Sequence, residues 1–418
     1  MATFVLSDGK RSDLDGKGAK ELLKPLLKAI EAKTLSKFNC LRFGGKSIKL
    51  EAAKEIAEVL PKLKGVCTLD LSDIVARRET GEAREVFKVL ASASEKLDVE
   101  EFLMDNNALG ANGIAAIEPI LSGSKKMSKI SFNDCGIEKI GAERISKFVL
   151  SNGKPSKITK FHIFNNCLAT AGGVALGPLI ENSPNLEDIR ISATRIGRDG
   201  GVVIAKALKS CRKLVSVDLS DNQFGEEAGE ILEKEVFIDQ KDIKNLDLSD
   251  CGLGEEHCLG IIKNLVKAKA DLESFGMSHS DIRTENAEVL ADLFKQCTRL
   301  KSVNLEGNDL DSEGAILIVK ALADSKSPLE ELNFQNNEIK ATAVKWIVAL
   351  LRKKASMKKL NLNACMISKK GVTLIRATLK DLKKEDCLDN MEDNDEDEAC
   401  EADDEFEKLT AALSILKT

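Results

Sequence analysis

Two neighbouring guanidinium groups, Arg77 and Arg78, are the residues best placed by type and context to do chemistry in this chain. They belong to the stretch Leu69-Asp-Leu-Ser-Asp-Ile-Val-Ala-Arg-Arg-Glu-Thr80, which follows a strand with apolar residues at Val66, Leu69 and Leu71. Comparable segments turn straight into a helix at this point, whereas this one carries extra residues. An irregular loop on a regular scaffold presents side chains to a partner. Ordinary enzyme signatures do not compete with it: there is no Gly-rich phosphate loop, no G-x-S-x-G and no H-E-x-x-H. His162, His257 and His279 are scattered, and His257-Cys258 is a bare pair with no further ligand at useful spacing, so no metal is expected. Eleven Cys, an odd number without a C-x-x-C pair, read as reduced and mostly buried thiols, not a disulfide framework or zinc module. Carboxylates are dispersed along the chain. No cofactor and no self-contained active site are expected, and a protein acting on another protein is the class that remains.

What must position the Arg loop is a repeat. The pattern L-x-x-L-x-L-x-x-N/C/T-x-L recurs twelve times, with first positions Phe38, Val66, Val99, Met127, Ile158, Leu186, Leu214, Ile243, Leu272, Leu300, Leu329 and Met357. Nine of the eleven intervals are 28 or 29 residues, a leucine-rich-repeat period in which each repeat supplies a short strand and a helix. Apolar residues such as Leu214, Val217 and Leu219 should point between sheet and helices, and Val215, Ser216 and Asp218 outward. Strands stack at about 4.8 Å and helices at about 10 Å. The expected fold is therefore an α/β leucine-rich-repeat horseshoe, a right-handed solenoid with a concave parallel sheet and outer helices.

The ninth position reads Lys46, Ile74, Asn107, Cys135, Asn166, Thr194, Asn222, Cys251, Ser280, Asn308, Asn337 and Cys365. A buried Asn there should bond the turn backbone of adjacent repeats, which assigns structure to most conspicuous Asn residues and to three Cys. Two intervals break the rhythm. The 31-residue interval holds Ser151-Asn-Gly-Lys-Pro-Ser-Lys157 between a helix and a strand, a plain insertion. The 33-residue interval holds Val75-Ala-Arg-Arg-Glu-Thr-Gly81 after a strand, on the opposite rim.

Domain organisation follows from the same register. Residues 1–37 are expected to cap the stack through an amphipathic helix over Gly18–Ile30, a Leu-rich stretch that also fits a nuclear-export signal. Residues 38–388 form the repeat domain, closed by a helix over Ser368–Leu382. Residues 389–418 are expected to be an acidic, largely disordered tail in which Phe406–Leu416 could form one short helix. Glu392 to Glu407 holds 11 of the 68 acidic residues and no basic one, leaving 57 acidic against 62 basic elsewhere. The basic residues are interspersed with acidic ones and only 4% of the chain is aromatic, so no nucleic-acid partner is expected. No run of about 18 apolar residues appears, nor a basic region followed by a long apolar core at Met1, so a membrane is excluded and the cytosol or nucleoplasm expected.

Leu71-Ser-Asp-Ile-Val-Ala-Arg-Arg78 resembles the L-S-D-[IF]-[FV]-x-[GA]-R segment of Ran GTPase-activating proteins. The likeness extends through Met104-Asp-Asn-Asn-Ala-Leu-Gly110, Phe164-Asn-Asn166, Ala193-Thr-Arg-Ile-Gly-Arg-Asp-Gly-Gly201 and Cys387-Leu-Asp with its acidic continuation. It is strongest to plant-type members, without their N-terminal targeting region. The resemblance implies stimulation of GTP hydrolysis by GTP-bound Ran, which holds nucleotide and magnesium, in support of nucleocytoplasmic transport. It further implies a monomer in the cytoplasm or at the nuclear periphery, with Ran-binding proteins as additional partners. Members orient Ran's own catalytic Gln instead of inserting an arginine finger. Their essential Arg matches Arg78. An essential Asn matches Asp134 or, one step earlier, Asn133, which is taken as the catalytic counterpart because Asp has no amide donor. Asp73, Arg77, Asp105, Asn106, Asn107, Asp134, Asn165 and Arg195 are the implied partner-binding residues. The competing class is a non-catalytic scaffold of the ribonuclease-inhibitor type, which binds without turnover.

Overall fold

The computed structural model describes residues 3–6, 11–32, 39–63 and 65–394. The chain forms two compact units, Met1–Leu214 with Asp221–Phe224, and Val215–Ser220 with Gly225–Thr418. In the first, β1 (Thr3–Val5), β2 (Ser12–Leu14) and α1 (Gly16–Glu31) precede β3 (Cys40–Arg42), β4 (Lys46–Ile48) and α2 (Leu50–Val59). β5 (Thr68–Asp70) and α3 (Thr80–Ser94) follow. β1, β3 and β5 continue into Glu101–Leu103, Lys129–Ser131, Lys160–His162 and Asp188–Arg190 as one parallel sheet. Among the described residues β2 pairs only with β4, also parallel. The second unit stacks Ser216–Asp218, Asn245–Asp247, Ser274–Gly276, Ser302–Asn304, Glu331–Asn333 and Lys359–Asn361 in chain order, again parallel. Helices connect successive strands, as the leucine-rich-repeat reading requires.

The register puts fourth-position residues in a column. Phe4, Leu41, Leu69, Phe102, Ile130, Phe161 and Ile189 are directly paired and buried. Sixth positions, from Leu6 and Phe43 through Leu71 and Met104, make a second buried column. Each strand has only three residues, so its backbone bonds alone would not hold it. Each buried Leu or Phe adds about 1.5–3 kcal/mol.

The ninth position ties neighbouring repeats. Asn107 Nδ2 donates to Leu71 O at 2.9 Å and Met104 O at 2.8 Å, while its Oδ1 accepts from Ile74 N at 3.1 Å. Cys substitutes for the donor: Cys135 Sγ lies 3.1 Å from Met104 O and Cys365 Sγ 3.2 Å from Phe334 O. Burial pushes the Cys135 thiol up to about 12 and the Cys365 thiol to about 11, so neither ionises near neutrality. All ten described cysteines are free thiols, seven of them buried.

The eighth position has a rule of its own. Gly45, Asp73, Asn106, Asp134, Asn165, Ala193, Asp221, Asp250, His279, Gly307, Asn336 and Ala364 all have positive φ. The chain leaves the sheet there, and a left-handed residue turns the next side chain inward. Nine of the twelve are Asp, Asn or Gly, the types that enter this region at least cost.

Two boundaries differ from the sequence reading. Residues 3–6 and 11–32 are more than a capping helix, because β1 extends the sheet and Phe4 and Leu6 continue its buried columns. Leu23 and Leu26 of α1 are also buried, which withdraws them from the export-signal reading. At the other end, residues 389–394 continue the repeat. Asp389 N bonds Leu360 O at 3.0 Å, Met391 is buried, and Asn394 Nδ2 donates to Leu362 O at 3.0 Å. Asn394 acts as another ninth-position Asn, 29 residues after Cys365. Register outweighs the acidic composition there. The rest of the acidic tail, with the helix expected at Phe406–Leu416, lies outside the described residues. Among the described residues no His/Cys/Asp/Glu group could hold a metal, and no helix is long and apolar enough to cross a membrane.

Candidate functional site

The Arg loop hangs between two anchored points. Ile74 and Val75 are buried after the left-handed Asp73, and α3 starts at Thr80. Between them Arg78 N donates to Val75 O at 2.9 Å, closing a turn whose third residue, Arg77, has φ +64°. This conformation costs a side-chain-bearing residue about 1–2 kcal/mol relative to the right-handed one. Such strain persists only where surrounding structure enforces it.

Arg78 supplies that enforcement. Its side chain is only 11% exposed and its donors point inward. Nη2 lies 2.6 Å from Asp13 Oδ2, Nε donates to Ser47 Oγ at 3.0 Å, and Nη1 is 3.6 Å from Glu82 Oε2. Ser47 Oγ in turn donates to Ala76 O inside the turn. Glu82 Oε1 accepts from Leu50 N at 3.2 Å, at the start of α2. Arg11 Nη2 reaches Asp73 Oδ1 at 2.7 Å, and Lys46 Nζ donates to Ser12 Oγ at 2.8 Å. Arg78 therefore joins the N-terminal segment and the first and second repeats. Arg77 is exposed beside a cavity of about 100 Å³ lined by Arg11, Ser12, Asp13, Ser47, Asp73 and Ala76. Among the described residues its guanidinium has no ion pair.

The other sequence-selected residues divide by position in the repeat. Eighth-position backbone links successive turns: Asp73 N donates to Asp105 O, Asn106 N to Asn133 O, Asp134 N to Phe164 O and Asn165 N to Ser192 O, at 2.8–3.1 Å. Asn106, Asp134 and Asn165 are exposed, Asp73 half-buried, and Asn165 Nδ2 donates to Asp134 Oδ1 at 3.2 Å. Arg195, two positions further along its own turn, is exposed with φ +58°. These residues share one rim of the first unit with Arg77.

Asn107 and Asn133 do not join them. Asn107 is the buried ninth-position tie described above, so its expected partner contact is corrected to a structural role. Asn133 is also buried. Its Nδ2 donates to Ser131 Oγ at 2.8 Å and its Oδ1 accepts from Phe164 N at 3.2 Å, so both amide atoms are committed. Its expected approach to a partner is corrected too, and Asp134 projects at that place. Asp105 is half-buried, its Oδ1 accepting from Ser131 Oγ at 2.6 Å and Asn133 N at 2.8 Å.

Sequence reasoning missed Arg11 and Asp13, whose pairing with Asp73 and Arg78 spans more than one repeat and leaves no local pattern, and also Ser47, one repeat from Arg78, and Glu82, its i,i+4 neighbour on α3. It also missed the Arg190 guanidinium stacked 3.7 Å over the Phe164 ring on the open sheet face. Beside it His162 Nε2 lies 2.8 Å from Asp188 Oδ1. Burial works to raise the Asp188 carboxyl, but the His162 ring and Lys160 outweigh it and hold the group below its ordinary value.

A family model described as "Leucine Rich repeat" matches residues 210–230 and 296–319. RAN GTPase-activating protein 2 of Arabidopsis thaliana is 30% identical over 395 residues, covering 94% of this chain and 70% of that protein. RAN GTPase-activating protein 1 of the same plant is 34% identical over 128 residues, 30% of this chain but only 23% of that protein's length. Ribonuclease inhibitor of Sus scrofa is 25% identical over 130 residues, covering 31% of this chain and 28% of that protein.

Proposed function

This chain belongs to the Ran GTPase-activating protein family, and from that membership we propose that it stimulates GTP hydrolysis by GTP-bound Ran. Ran holds nucleotide and magnesium, and this chain acts on Ran's active site with none of its own. The observation carrying the reading is the likeness over 94% of the chain to a protein of that name. We place its action in nucleocytoplasmic transport, as a monomer in the cytoplasm or at the nuclear periphery, with Ran-binding proteins as further partners.

The mechanism is placement. With its donors turned inward, Arg78 suits a role in fixing the turn better than insertion as an arginine finger. Arg77, the rim residues Asp73, Asn106, Asn165 and Arg195, and the half-buried Asp105 form the docking edge. A rigid edge lowers the barrier by holding Ran's Gln and the attacking water in a reactive arrangement and excluding bulk water. Asp134 supplies acceptors, which suit the amide hydrogens of that Gln, while its charge is kept off the γ-phosphate.

Catalytic amounts of the protein added to GTP-loaded Ran should accelerate phosphate release in a single-turnover assay. Tight binding to Ran without any acceleration would replace this reading with the ribonuclease-inhibitor type of scaffold, which a likeness over only 31% of the chain favours weakly.

A further inference from the structure

We infer that the N-terminal strand β2 is a positioning element of the Arg loop, and that Asp13 is its positioning residue. The inference deepens the proposed function and rests on it only for the consequence at Ran. Four consecutive residues point the same way. Arg11 holds Asp73 at the entrance to the loop, and Ser12 accepts from Lys46 Nζ. Asp13 holds Arg78 at its exit, at 2.6 Å. Leu14 is buried opposite Ile48 and accepts from Lys49 N at 2.9 Å, just before α2. Elsewhere among the described residues this part of the repeat makes only isolated bridges, Arg283 with Asp309 and Asp311 with Glu338. Among the described residues the one two-stranded pair, β2–β4, lies beside the Arg loop, which it reaches through Asp13 and Ser47.

The chemistry explains why Asp13 matters more than an ordinary surface carboxylate. Arg78 is nearly buried, and its donors meet one hydroxyl and two carboxylates, Asp13 being the nearer by 1.0 Å from the two separations of 2.6 and 3.6 Å. Removing that charge leaves a desolvated guanidinium with Glu82 as its remaining ion partner, while a strained Arg77 turn pulls on the same backbone. Asp13 itself is 46% exposed, so an amide fits without burying an unpaired charge.

The test uses the full chain with Asp13→Asn, Asp13→Glu and, as control, Asp98→Asn, which removes an exposed partner of Lys126. Trypsin cleavage after Arg77 and Arg78, followed by mass spectrometry, reports loop order without Ran, and kcat and KM are measured with GTP-loaded Ran. Asp13→Asn is expected to speed loop cleavage about tenfold and lower kcat about ten- to a hundredfold, with a smaller change in KM. Asp13→Glu should recover most of both, and the control should match the parent with an unchanged circular dichroism spectrum. Unchanged loop cleavage in Asp13→Asn overturns the inference whatever Ran does. Faster cleavage with unchanged kcat overturns the positioning role. Faster cleavage in a protein whose parent form never stimulates Ran supports the clamp and defeats the proposed function instead.

Discussion

The turn at Asn308 in the second unit and the turn at Arg78 in the first solve one problem in opposite ways. At Asn308 the ninth residue does the work: its Nδ2 donates to Met277 O and Leu305 O, both at 3.0 Å, and its Oδ1 accepts from Ser280 N and Ile282 N. The helix that follows is capped within the turn, Asp311 Oδ1 accepting from Glu313 N and Gly314 N. At Arg78 the ninth residue is Ile74, which has no polar side chain, and Glu79, in the cap position of α3, makes no capping bond. Asn107 of the next repeat accepts from Ile74 N, but the rest of the turn is held by Asp13 of β2, the Ser47 hydroxyl of β4 and Glu82 of α3. A turn closed by its own Asn needs no neighbour beyond the adjoining repeats, whereas one closed by an ion-pair cluster can carry extra residues and a strained, outward Arg77.

The contrast can be broken from either side. Arg78→Ala should have the largest effect, lowering Ran-directed kcat about a hundredfold or more by freeing the turn, with circular dichroism unchanged. Asn308→Ala should leave that activity intact but cost about 3 kcal/mol in urea unfolding, because buried backbone groups lose their partner. Asn107→Ala is the mixed case, with a similar stability loss and a measurable fall in activity, since Ile74 N beside the loop loses its acceptor. Arg77→Gly should stabilise by about 1 kcal/mol through relief of the left-handed backbone, seen as a higher Tm, while raising KM for Ran. The smallest effect is expected at Asp311. Burial works to raise its carboxyl, yet Gly314 N, Thr284 and Glu313 N outweigh this and hold it below its ordinary value. Its contribution is therefore present above the unfolded-state value and lost as pH falls through the folded one. Asp311→Ala should cost about 1 kcal/mol at pH 7, and its urea midpoint should converge with the parent's as pH falls through the lowered folded-state value.

The period of the repeats was legible because buried columns repeat at near-constant intervals, as Val217, Leu246 and Phe275 do. The Arg loop was legible as an insertion in that count. What holds it was not, since Asp13 and Arg78 lie on either side of an entire repeat and charge pairing leaves no periodic trace. Asp73, Asn106, Asp134 and Asn165 looked functional partly because their types also satisfy a left-handed backbone. Their chemistry and their geometry select the same residues, and only coordinates separate the two. Asn133 was misplaced by one step: a seventh-position side chain followed by a left-handed residue turns towards Ser131 and Phe164, not to the rim. At the other end, the acidic letters of residues 389–394 concealed a register that Asn394 keeps.

The claim that Arg78 acts through its clamp is tested most directly by a double-mutant cycle in single-turnover phosphate release from GTP-loaded Ran. With Arg78 already replaced by Ala, adding Asp13→Asn should change the rate by less than about twofold, because contacting residues acting as one device do not add. If Asp13→Asn lowers the rate of the Arg78→Ala protein by the same factor as it lowers the parent's, the two residues act separately and the account is contradicted.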